Sequence, residues 1–359
     1  MAKVVVAMSG GVDSTIAAAI LKERGYEVIG VAMEIWDGQT IPKKGIRHAC
    51  YGPEEKEDIE DARKVAQILK IPFFTFDLRK EYKAEVLNYF CQEYLAGRTP
   101  NPCIRCNRKV KFEALLEKIW ENGIEFDYFA TGHYARIEYE EVEGRYLLKR
   151  AKDLKKDQSY FLFSLSQAQL SRLLFPLGDY TKEEVRRIAK ELGLEVYNKP
   201  ESQNFFAGDY SLLSGTRPSP GPILSTEGEV LGEHRGIPFY TIGQRKGIGI
   251  AAGKPLYVLD ILPERNAIVV GGKEELYGTE LIASELNWIA REKLDKPIEV
   301  KAKIRYQHKE AEALVMPWED ERALVKFREP QMAITPGQAV VFYDSEIIVG
   351  GGIIERRKG

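Results

Sequence analysis

The chain has 359 residues, 44% of them apolar, which is enough to bury a large core and to form two or three domains. Its 52 basic and 54 acidic residues give a formal net charge of −2, so nucleic-acid binding must come from a local patch and not from overall charge. The first apolar run is too short for a signal peptide or a membrane span. We therefore expect a soluble cytoplasmic protein whose four cysteines are free thiols or metal ligands.

The first predicted elements are a buried strand, a tight glycine turn and a helix start, all within residues 4–14, VVVAMSGGVDS. Free amides at the start of a helix, together with the hydroxyls of Ser9 and Ser14, favour an anion in the turn. The carboxylate of Asp13 repels phosphate unless a metal ion lies between them, so the stretch predicts a nucleotide phosphate bound with Mg²⁺. The alternative is an ordinary turn in which Asp13 or Ser14 caps the helix.

Strands and helices alternate through the first half of the chain. The spacing of apolar residues predicts strands at 28–33, 73–76 and 128–131, and helices at 14–24, 54–69 and 111–120. Helices between strands indicate an α/β fold with a parallel sheet, because parallel strands need crossover connections. Ligands of such sheets bind beyond the carboxyl ends of the strands, where the predicted nucleotide turn lies.

A basic segment with two cysteines spans residues 98–111, RTPNPCIRCNRKVK, and contains no acidic residue. Its two prolines predict a shaped loop through the first half, with only the last residues entering the next helix. Positive neighbours favour thiolates, so Cys103 and Cys106 are candidates for reactive sulfur or metal binding; a solvated basic loop with incidental cysteines is the alternative. The scattered histidines do not complete a closed zinc site, whereas Cys50 could join the pair as a third ligand of an iron–sulfur cluster. Cys91 is predicted to be a buried core thiol.

The sequence pattern changes after residue 194. Glycine and proline become dense at 214–253, and long amphipathic helices are no longer predicted. Apolar and charged residues alternate at 298–306, which predicts a half-buried strand, and shorter apolar runs follow at 323–327, 339–343 and 346–349. These strands predict a C-terminal β-barrel or sandwich.

A set of motifs along the whole chain resembles one family, the tRNA-specific 2-thiouridylases of the PP-loop ATP pyrophosphatase superfamily. The motifs are AMSGGVDS, EDAR, AGRTPNPC, ATGHYARI, KDQSYFLFSLSQ, YTIGQRKGIGI and TPGQAVVFY. The resemblance implies ATP-dependent 2-thiolation of the wobble uridine of tRNA: adenylation of uridine O2 releases pyrophosphate, and sulfur is then transferred from a cysteine site. It also implies three domains, a PP-loop catalytic domain at 1–200, a small central domain at 201–275 and a tRNA-binding C-terminal β-barrel at 276–359.

The resemblance also implies roles for individual residues. Contacts with ATP are implied for Ala7, Met8, Ser9, Gly10, Gly11, Val12, Asp13, Ser14, Met33 and Gly132. Contacts with tRNA are implied for Asn101, Pro102 and Cys103 beside the target base, and for His133, Lys156, Asp157, Gln158, Arg305, Tyr306 and Gln338. Catalytic roles are implied for Cys106 as the nucleophilic sulfur residue, Cys103 and Asp13. The expected partners are tRNA and a sulfur donor such as a cysteine desulfurase or relay protein, with no membrane.

The chain departs from the family pattern at two positions. The family has an aspartate where this chain has Cys103, and a persulfide-carrying cysteine where this chain has Phe206. Because phenylalanine cannot carry sulfur, the family's persulfide cycle cannot operate in its usual form in this chain. We hypothesise a 4Fe–4S cluster held by Cys50, Cys103 and Cys106, with a Cys103–Cys106 persulfide pair as the alternative.

Two other functions fit part of the sequence. A PP-loop enzyme that adenylates a small molecule leaves the basic cysteine segment and the predicted barrel without a purpose. An RNA-binding module with a vestigial nucleotide turn agrees with Phe206 but not with the intact Ser9, Asp13 and Cys106. Release of pyrophosphate from ATP that is stimulated by tRNA would exclude the binding module.

Overall fold

The structure is a computed structural model that describes residues 1–38, 49–198, 204–206 and 218–358. These residues divide into two compact units, which we describe separately. The first unit takes in residues 1–38, 49–86, 103–198, 204–206 and 346–348, and the second takes in 87–102, 218–345 and 349–358. Among the described residues, no helix is both long and apolar enough to cross a membrane.

The first unit contains nine described strands and most of the helices. Its strands are β1 (Lys3–Ala7), β2 (Glu27–Glu34), β3 (Ala49–Tyr51), β4 (Phe73–Asp77), β5 (Tyr128–Thr131), β6 (Ala135–Glu140), β7 (Arg145–Arg150), β8 (Leu173–Leu174) and β9 (Asn204–Phe206). The α-helices of the chain are α1 (Val12–Glu23), α2 (Glu55–Ile68), α3 (Arg79–Tyr82), α4 (Tyr89–Leu95), α5 (Pro102–Cys106), α6 (Leu115–Glu121), α7 (Gln167–Leu170) and α8 (Lys182–Glu191), of which α4 lies in the second unit. Other helical segments are π-helical at Lys83–Asn88 and Asn107–Ala114, and 3₁₀-helical at Ser159–Leu162 and Glu195–Asn198.

A five-stranded parallel sheet forms the core of the first unit. Its strand order is β4-β2-β1-β5-β8, and each neighbouring pair is parallel. The central strand β1 places Val5 opposite Ile29 of β2 and Phe129 of β5, and Val4, Val5 and Val6 are fully buried. The strands predicted at 28–33, 73–76 and 128–131 are therefore confirmed as β2, β4 and β5, and so is the α/β fold with a parallel sheet.

A hairpin and a two-stranded sheet complete the first unit. Strands β6 and β7 form an antiparallel hairpin, and Lys149 of β7 pairs with Ile347. Strands β3 and β9 form a two-stranded parallel sheet in which Tyr51 lies opposite Phe206. This second pairing brings residues 49–51 beside residues 204–206, which are far apart in sequence.

The second unit consists of a small sheet and a closed barrel. The small sheet contains β10 (Gly221–Leu224), β11 (Val230–His234), β12 (Tyr257–Leu262) and β13 (Ala267–Gly271), in the order β11-β10-β13-β12. The barrel strands are β14 (Tyr277–Trp288), β15 (Ile298–Lys303), β16 (Ala311–Trp318), β17 (Arg322–Met332), β18 (Ala339–Asp344) and β19 (Ile347–Lys358). Their order is β14-β17-β16-β15-β18-β19, and β14 also pairs with β19. Between the two predicted alternatives, the C-terminal strands thus form a barrel, because closure leaves no strand edge unpaired.

Candidate active site

The turn between β1 and α1 has a geometry that requires glycine. Gly10 has φ +73°, and a Cβ there would lie 2.1 Å from the carbonyl oxygen of Asp58. The Ser9 amide donates to Oγ of Ser14 at 3.1 Å, and the Ser14 hydroxyl donates to the Gly11 carbonyl at 3.2 Å. No side chain caps α1, whose N-cap is Gly11, so the amides of its first turn remain suited to an anion.

The other residues implied to contact ATP surround this turn. Ala7 ends β1, and the Met8 amide donates to the Val31 carbonyl at 2.8 Å. Val12 is 3% exposed, so only its backbone faces the turn. Met33 lies near the carboxyl end of β2, beyond the Val31 that pairs with Ala7. The turn and Met33 therefore share the carboxyl edge of the sheet, at the point where the chain order reverses around β1.

Gly132 directly follows β5 and touches the turn. A Cβ on Gly132 would lie 2.7 Å from both the carbonyl carbon of Asp13 and the amide nitrogen of Ser14. Any larger residue would push the start of α1 away from β5. The structure thus brings the ATGHYARI motif against the SGGVDS motif.

Asp13 is held by two residues that sequence analysis missed. Both of its carboxylate oxygens lie 2.8 Å from Nζ of Lys182, and the Tyr134 hydroxyl donates to Oδ1 at 2.7 Å. Lys182 is 7% exposed, and its ammonium lies 5.9 Å from the ring centre of Tyr134. This ion pair fixes the direction of the carboxylate. Asp13 is a hard oxygen donor of the kind Mg²⁺ takes, although Lys182 contacts both oxygens here.

A local signal could have pointed to Lys182. Thr181 and Glu184 form a capping box, which marks the start of α8 and is readable from the sequence. Lys182 then occupies the first turn, where the helix dipole disfavours a cation. A lysine in that place indicates that its charge is compensated elsewhere, and the structure identifies Asp13 as the partner.

The cysteine segment is helical earlier than predicted. Helix α5 begins at Pro102, and helical structure continues through the π-helical residues 107–114 into α6. The prediction of a loop through the first half of the segment is therefore wrong at Cys103 and Ile104. Proline is tolerated in the first turn of a helix, since it lacks only an amide that has no partner there.

Three thiols converge in the first unit. Burial raises the pKa of Cys106 to about 11, with the charge of Lys111 opposing and that of Cys50 adding to the shift. The Cys103 side chain keeps contact with solvent, yet the protein packed around it raises the pKa of its thiol to about 12, and Cys50 adds to the shift. Tyr82 is buried beside the thiols. Burial is the largest cause of the raised pKa of its phenol, and the three cysteines add to the rise. The thiols of Cys103 and Cys106 therefore hold their protons at neutral pH.

Cys50, the third thiol, lies in strand β3, which pairs with β9. It lies in β3 next to Tyr51, whose ring is stacked on that of Tyr82 at 5.5 Å between centroids. Phe206 is 3% exposed in β9 and packs at 6.1 Å from the Tyr51 ring. Cys50 thus belongs to the same small sheet as Phe206.

The three thiols have the chemistry of metal ligands. Cysteine thiolates are the ligands that iron–sulfur clusters take, and the three thiols are close enough to shift one another's pKa. In the part of the chain that the structure describes, however, no three His, Cys, Asp or Glu side chains surround a position for one metal ion. The three thiols thus match an iron–sulfur cluster in ligand type alone.

Carboxylates neutralise several cations of the basic segment. Arg105 pairs with Glu85 at 2.7 Å, and Lys109 pairs with Glu113 at 3.0 Å. Lys111 instead donates to Oδ1 of Asn107 at 3.2 Å and, among the described residues, has no carboxylate within ion-pair distance. The charge of Lys111 acts on Cys103 and Cys106, where it partly offsets the rise in pKa that burial causes.

The turn at residues 156–158 is tied to the nucleotide turn. Asp157 is 8% exposed and accepts hydrogen bonds from the amides of Ala151 and Ser159 and from the Ser159 hydroxyl. The side-chain oxygen of Gln158 accepts from the Tyr134 amide at 3.0 Å, and Tyr134 in turn contacts Asp13. Lys156 is half-buried in the same turn.

His133 lies between the nucleotide turn and the thiols. Its Nδ1 is 2.6 Å from the Thr131 hydroxyl, and its ring packs against Phe112 and Phe175. Burial, and then the charge of Lys111, holds the pKa of His133 well below its usual range. The imidazole is therefore neutral at pH 7, and a contact with tRNA would be a neutral one.

The remaining residues implied to contact tRNA belong to the second unit, apart from Cys103. Arg305 donates to the Ile242 carbonyl at 3.0 Å and to the Thr335 hydroxyl. Lys303 lies over the Tyr306 ring at 5.3 Å. Asn101 and Pro102 are half-buried, and Gln338 bonds to the chain just before them.

Comparisons with known proteins cover nearly the whole chain. Three family models match: the tRNA methyl transferase HUP domain at 2–206, the tRNA methyl transferase PRC-barrel domain at 212–272 and the aminomethyltransferase beta-barrel domain at 278–354. A relative in Caldanaerobacter subterraneus subsp. tengcongensis, named tRNA-specific 2-thiouridylase MnmA 2, is 51% identical over 99% of this chain and 98% of its own length. A tRNA-specific 2-thiouridylase MnmA in Acetivibrio thermocellus is 50% identical over 98% of this chain and 99% of its own.

Proposed function

The chain belongs to the tRNA-specific 2-thiouridylase family, and from that membership we propose how its residues divide an ATP-dependent thiolation of tRNA. The observation that carries the proposal is the meeting of two motifs in the first unit. Gly132 packs on Asp13 of the nucleotide turn, and the next residue, His133, lies within the field of Lys111, which also acts on Cys103 and Cys106. A nucleotide site and a sulfur site are thus neighbours.

Adenylation solves the chemical difficulty of the reaction. The oxygen on C2 of uridine is a poor leaving group, so direct replacement by sulfur is slow. Transfer of AMP to that oxygen forms an oxygen–phosphorus bond and releases pyrophosphate; sulfur then attacks C2, and AMP leaves. We assign the α1 amides and the hydroxyls of Ser9 and Ser14 to the phosphates. Mg²⁺, when bound at Asp13, would supply charge neutralisation for pyrophosphate.

Sulfur transfer is assigned to the three thiols. Phe206 cannot carry a persulfide, and Cys50 stands in the strand paired with Phe206, so the sheet keeps a thiol near that position. We propose Cys50, Cys103 and Cys106 as ligands of a 4Fe–4S cluster, which would supply an iron site able to bind exogenous sulfide. In the alternative, a persulfide on Cys106 donates its outer sulfur, and Cys103 closes a disulfide with the inner one.

The tRNA is proposed to reach both sites with its wobble base turned out of the anticodon loop, because a stacked base exposes too little of its edge.

We propose domain boundaries at 1–200, 201–275 and 276–359, which the family matches at 2–206, 212–272 and 278–354 support. A cytoplasmic location and a sulfur donor such as a cysteine desulfurase or relay protein belong to the same proposal.

The test is anaerobic thiolation of unmodified tRNA. Protein reconstituted with iron and sulfide is compared with metal-free protein that receives a persulfide donor, and 2-thiouridine is quantified by mass spectrometry. We expect activity only in the reconstituted sample. Activity only without metal would replace the cluster by the Cys103–Cys106 pair, and no product in either sample, with no tRNA-stimulated release of pyrophosphate, would contradict the function itself.

A further inference from the structure

The segment just before Asn101 is held in place by residues of the second unit to which no such role has been given. We propose that Thr241 and the turn Pro336–Gln338 clamp Thr99 and thereby position the target-base residues that follow it. Gln338 then acts as a positioning residue through the bond from its Nε2 to the Thr99 carbonyl. The inference rests on the proposed function, because it takes Asn101, Pro102 and Cys103 to be beside the target base.

Every polar atom of Thr99 is engaged by this clamp. Its amide donates to the Pro336 carbonyl at 2.8 Å, and its carbonyl accepts from Nε2 of Gln338 at 2.8 Å. Its hydroxyl donates to the Thr241 hydroxyl at 3.3 Å. Both backbone groups and the side chain of one residue are therefore held at once.

The turn approaches Thr99 backbone to backbone. Gly337 has φ +87°, and a Cβ on it would lie 2.9 Å from the Thr99 amide nitrogen. The turn is itself rigid, because the Gly337 amide donates to the Ile354 carbonyl at 2.8 Å and the Ile354 amide donates to the Gln338 carbonyl at 2.7 Å. Strand β19 thus anchors the clamp.

The preceding residues are restrained as well. Gly97 has φ +70°, and a Cβ there would lie 2.9 Å from the Pro263 side chain and 3.0 Å from Ile261. Arg98 donates to the Glu93 carboxylate at 2.7 Å. With residues 97–99 held at both ends, the next three residues have little freedom, and reaction rates depend steeply on such placement.

The first experiment separates positioning from tRNA contact. Gln338→Met keeps the length of the side chain but removes its donor. The matched control is Gln331→Met, because Gln331 lies in the same barrel and donates only to the nearby Glu329 carbonyl. For each variant we would measure the dissociation constant for tRNA and the single-turnover thiolation rate at saturating tRNA.

We expect Gln338→Met to lower the saturated rate by about tenfold, since a misplacement of about 1 Å can cost up to about 100-fold. Its tRNA dissociation constant should stay within about twofold of the wild type, and Gln331→Met should change neither quantity. Weaker tRNA binding with an unchanged saturated rate would overturn the proposal in favour of a direct contact. No change in either quantity would also overturn it.

A second readout does not depend on activity. Trypsin cleaves after Arg98, beside the clamped residue, so loosening the clamp should speed that cleavage at least about threefold, as protection follows local opening. Gln338→Met and Thr241→Val should show the faster cleavage, and Gln331→Met should not. Unchanged cleavage would contradict the clamp, whereas faster cleavage in a protein that thiolates no tRNA would contradict only the proposed function.

Discussion

The nucleotide turn and the three thiols differ in whether their polar and ionisable groups already have partners. Around the turn, charges and polar groups already have partners: Asp13 is bonded to Lys182 and Tyr134, and Asp157 accepts three hydrogen bonds. Around the thiols, burial raises the pKa of Cys103 to about 12 and that of Cys106 to about 11, and only Lys111 opposes the shift in both. The polar groups around the turn are thus paired in advance, whereas the thiols of Cys103 and Cys106 are held in their protonated form.

This difference indicates which site needs a partner before it can react. Thiolate is the nucleophile and the metal ligand, and the buried thiols supply little of it at neutral pH. A bound metal would deprotonate the thiols outright, and a persulfide donor would deliver sulfur that ionises more readily. The nucleotide site needs no comparable activation. The first two of the following predictions each damage one site and measure the other.

The largest effect is expected at the sulfur site. Cys106→Ser should lower thiolation by about 10³-fold or more, because it removes the sulfur residue, while tRNA-stimulated release of pyrophosphate stays within about threefold. The control is Cys91→Ser, since Cys91 is a half-buried thiol whose pKa is raised by burial alone. Equal losses in the two variants would mean that cysteine substitution acts on folding and not on chemistry.

A smaller effect is expected at the nucleotide site. Lys182→Met should lower the release of pyrophosphate by about 100-fold, as expected when one charged group that organises a phosphate site is lost. Iron and sulfide uptake by the reconstituted protein should not change. Lys109→Met removes a lysine that pairs with Glu113 outside the nucleotide site and serves as the control for pyrophosphate release. Loss of iron uptake in the Lys182 variant would show that the two sites are not separable.

The smallest effect concerns Glu55, a half-buried carboxylate that lies beside the end of β2. The Ile35 and Trp36 amides donate to Glu55, yet burial outweighs them and raises the pKa of this carboxyl above 4.5. The stability that Glu55 contributes is thus present below pH 4.5 and is lost as pH rises through the folded pKa. Glu55→Gln should therefore gain stability relative to the wild type between pH 4 and pH 7, measured by urea unfolding.

The control for that measurement is Glu57→Gln, an exposed position on the same helix. Its stability relative to the wild type should vary less with pH. If the relative stability of the Glu55 variant instead falls between pH 4 and pH 7, the two amide hydrogen bonds outweigh the effect of burial on this carboxyl.

Local patterns were sufficient for the parallel sheet and the nucleotide turn. Strand β5 has the predicted bounds, β4 is one residue longer at its end and β2 is one residue longer at each end, because apolar runs and glycine turns act within a few residues. The cysteine segment was misread at Cys103 because proline was taken as a helix breaker, whereas Pro102 opens a helix. Cys50 was predicted as a third thiolate ligand from the cysteines themselves, the role of Phe206 came from the family resemblance, and the structure adds that their strands pair.

Sequence by itself therefore determined the fold class, the turn that suits a nucleotide and the presence of two nearby cysteines in a basic segment. Tertiary structure alone decided that Lys182 pairs with Asp13, 169 positions away, and that Gln338 holds Thr99, 239 positions away. The physical reason is that periodicity and capping report the few residues around a position. Contacts across such separations depend on how whole strands and helices pack, and no local pattern records them.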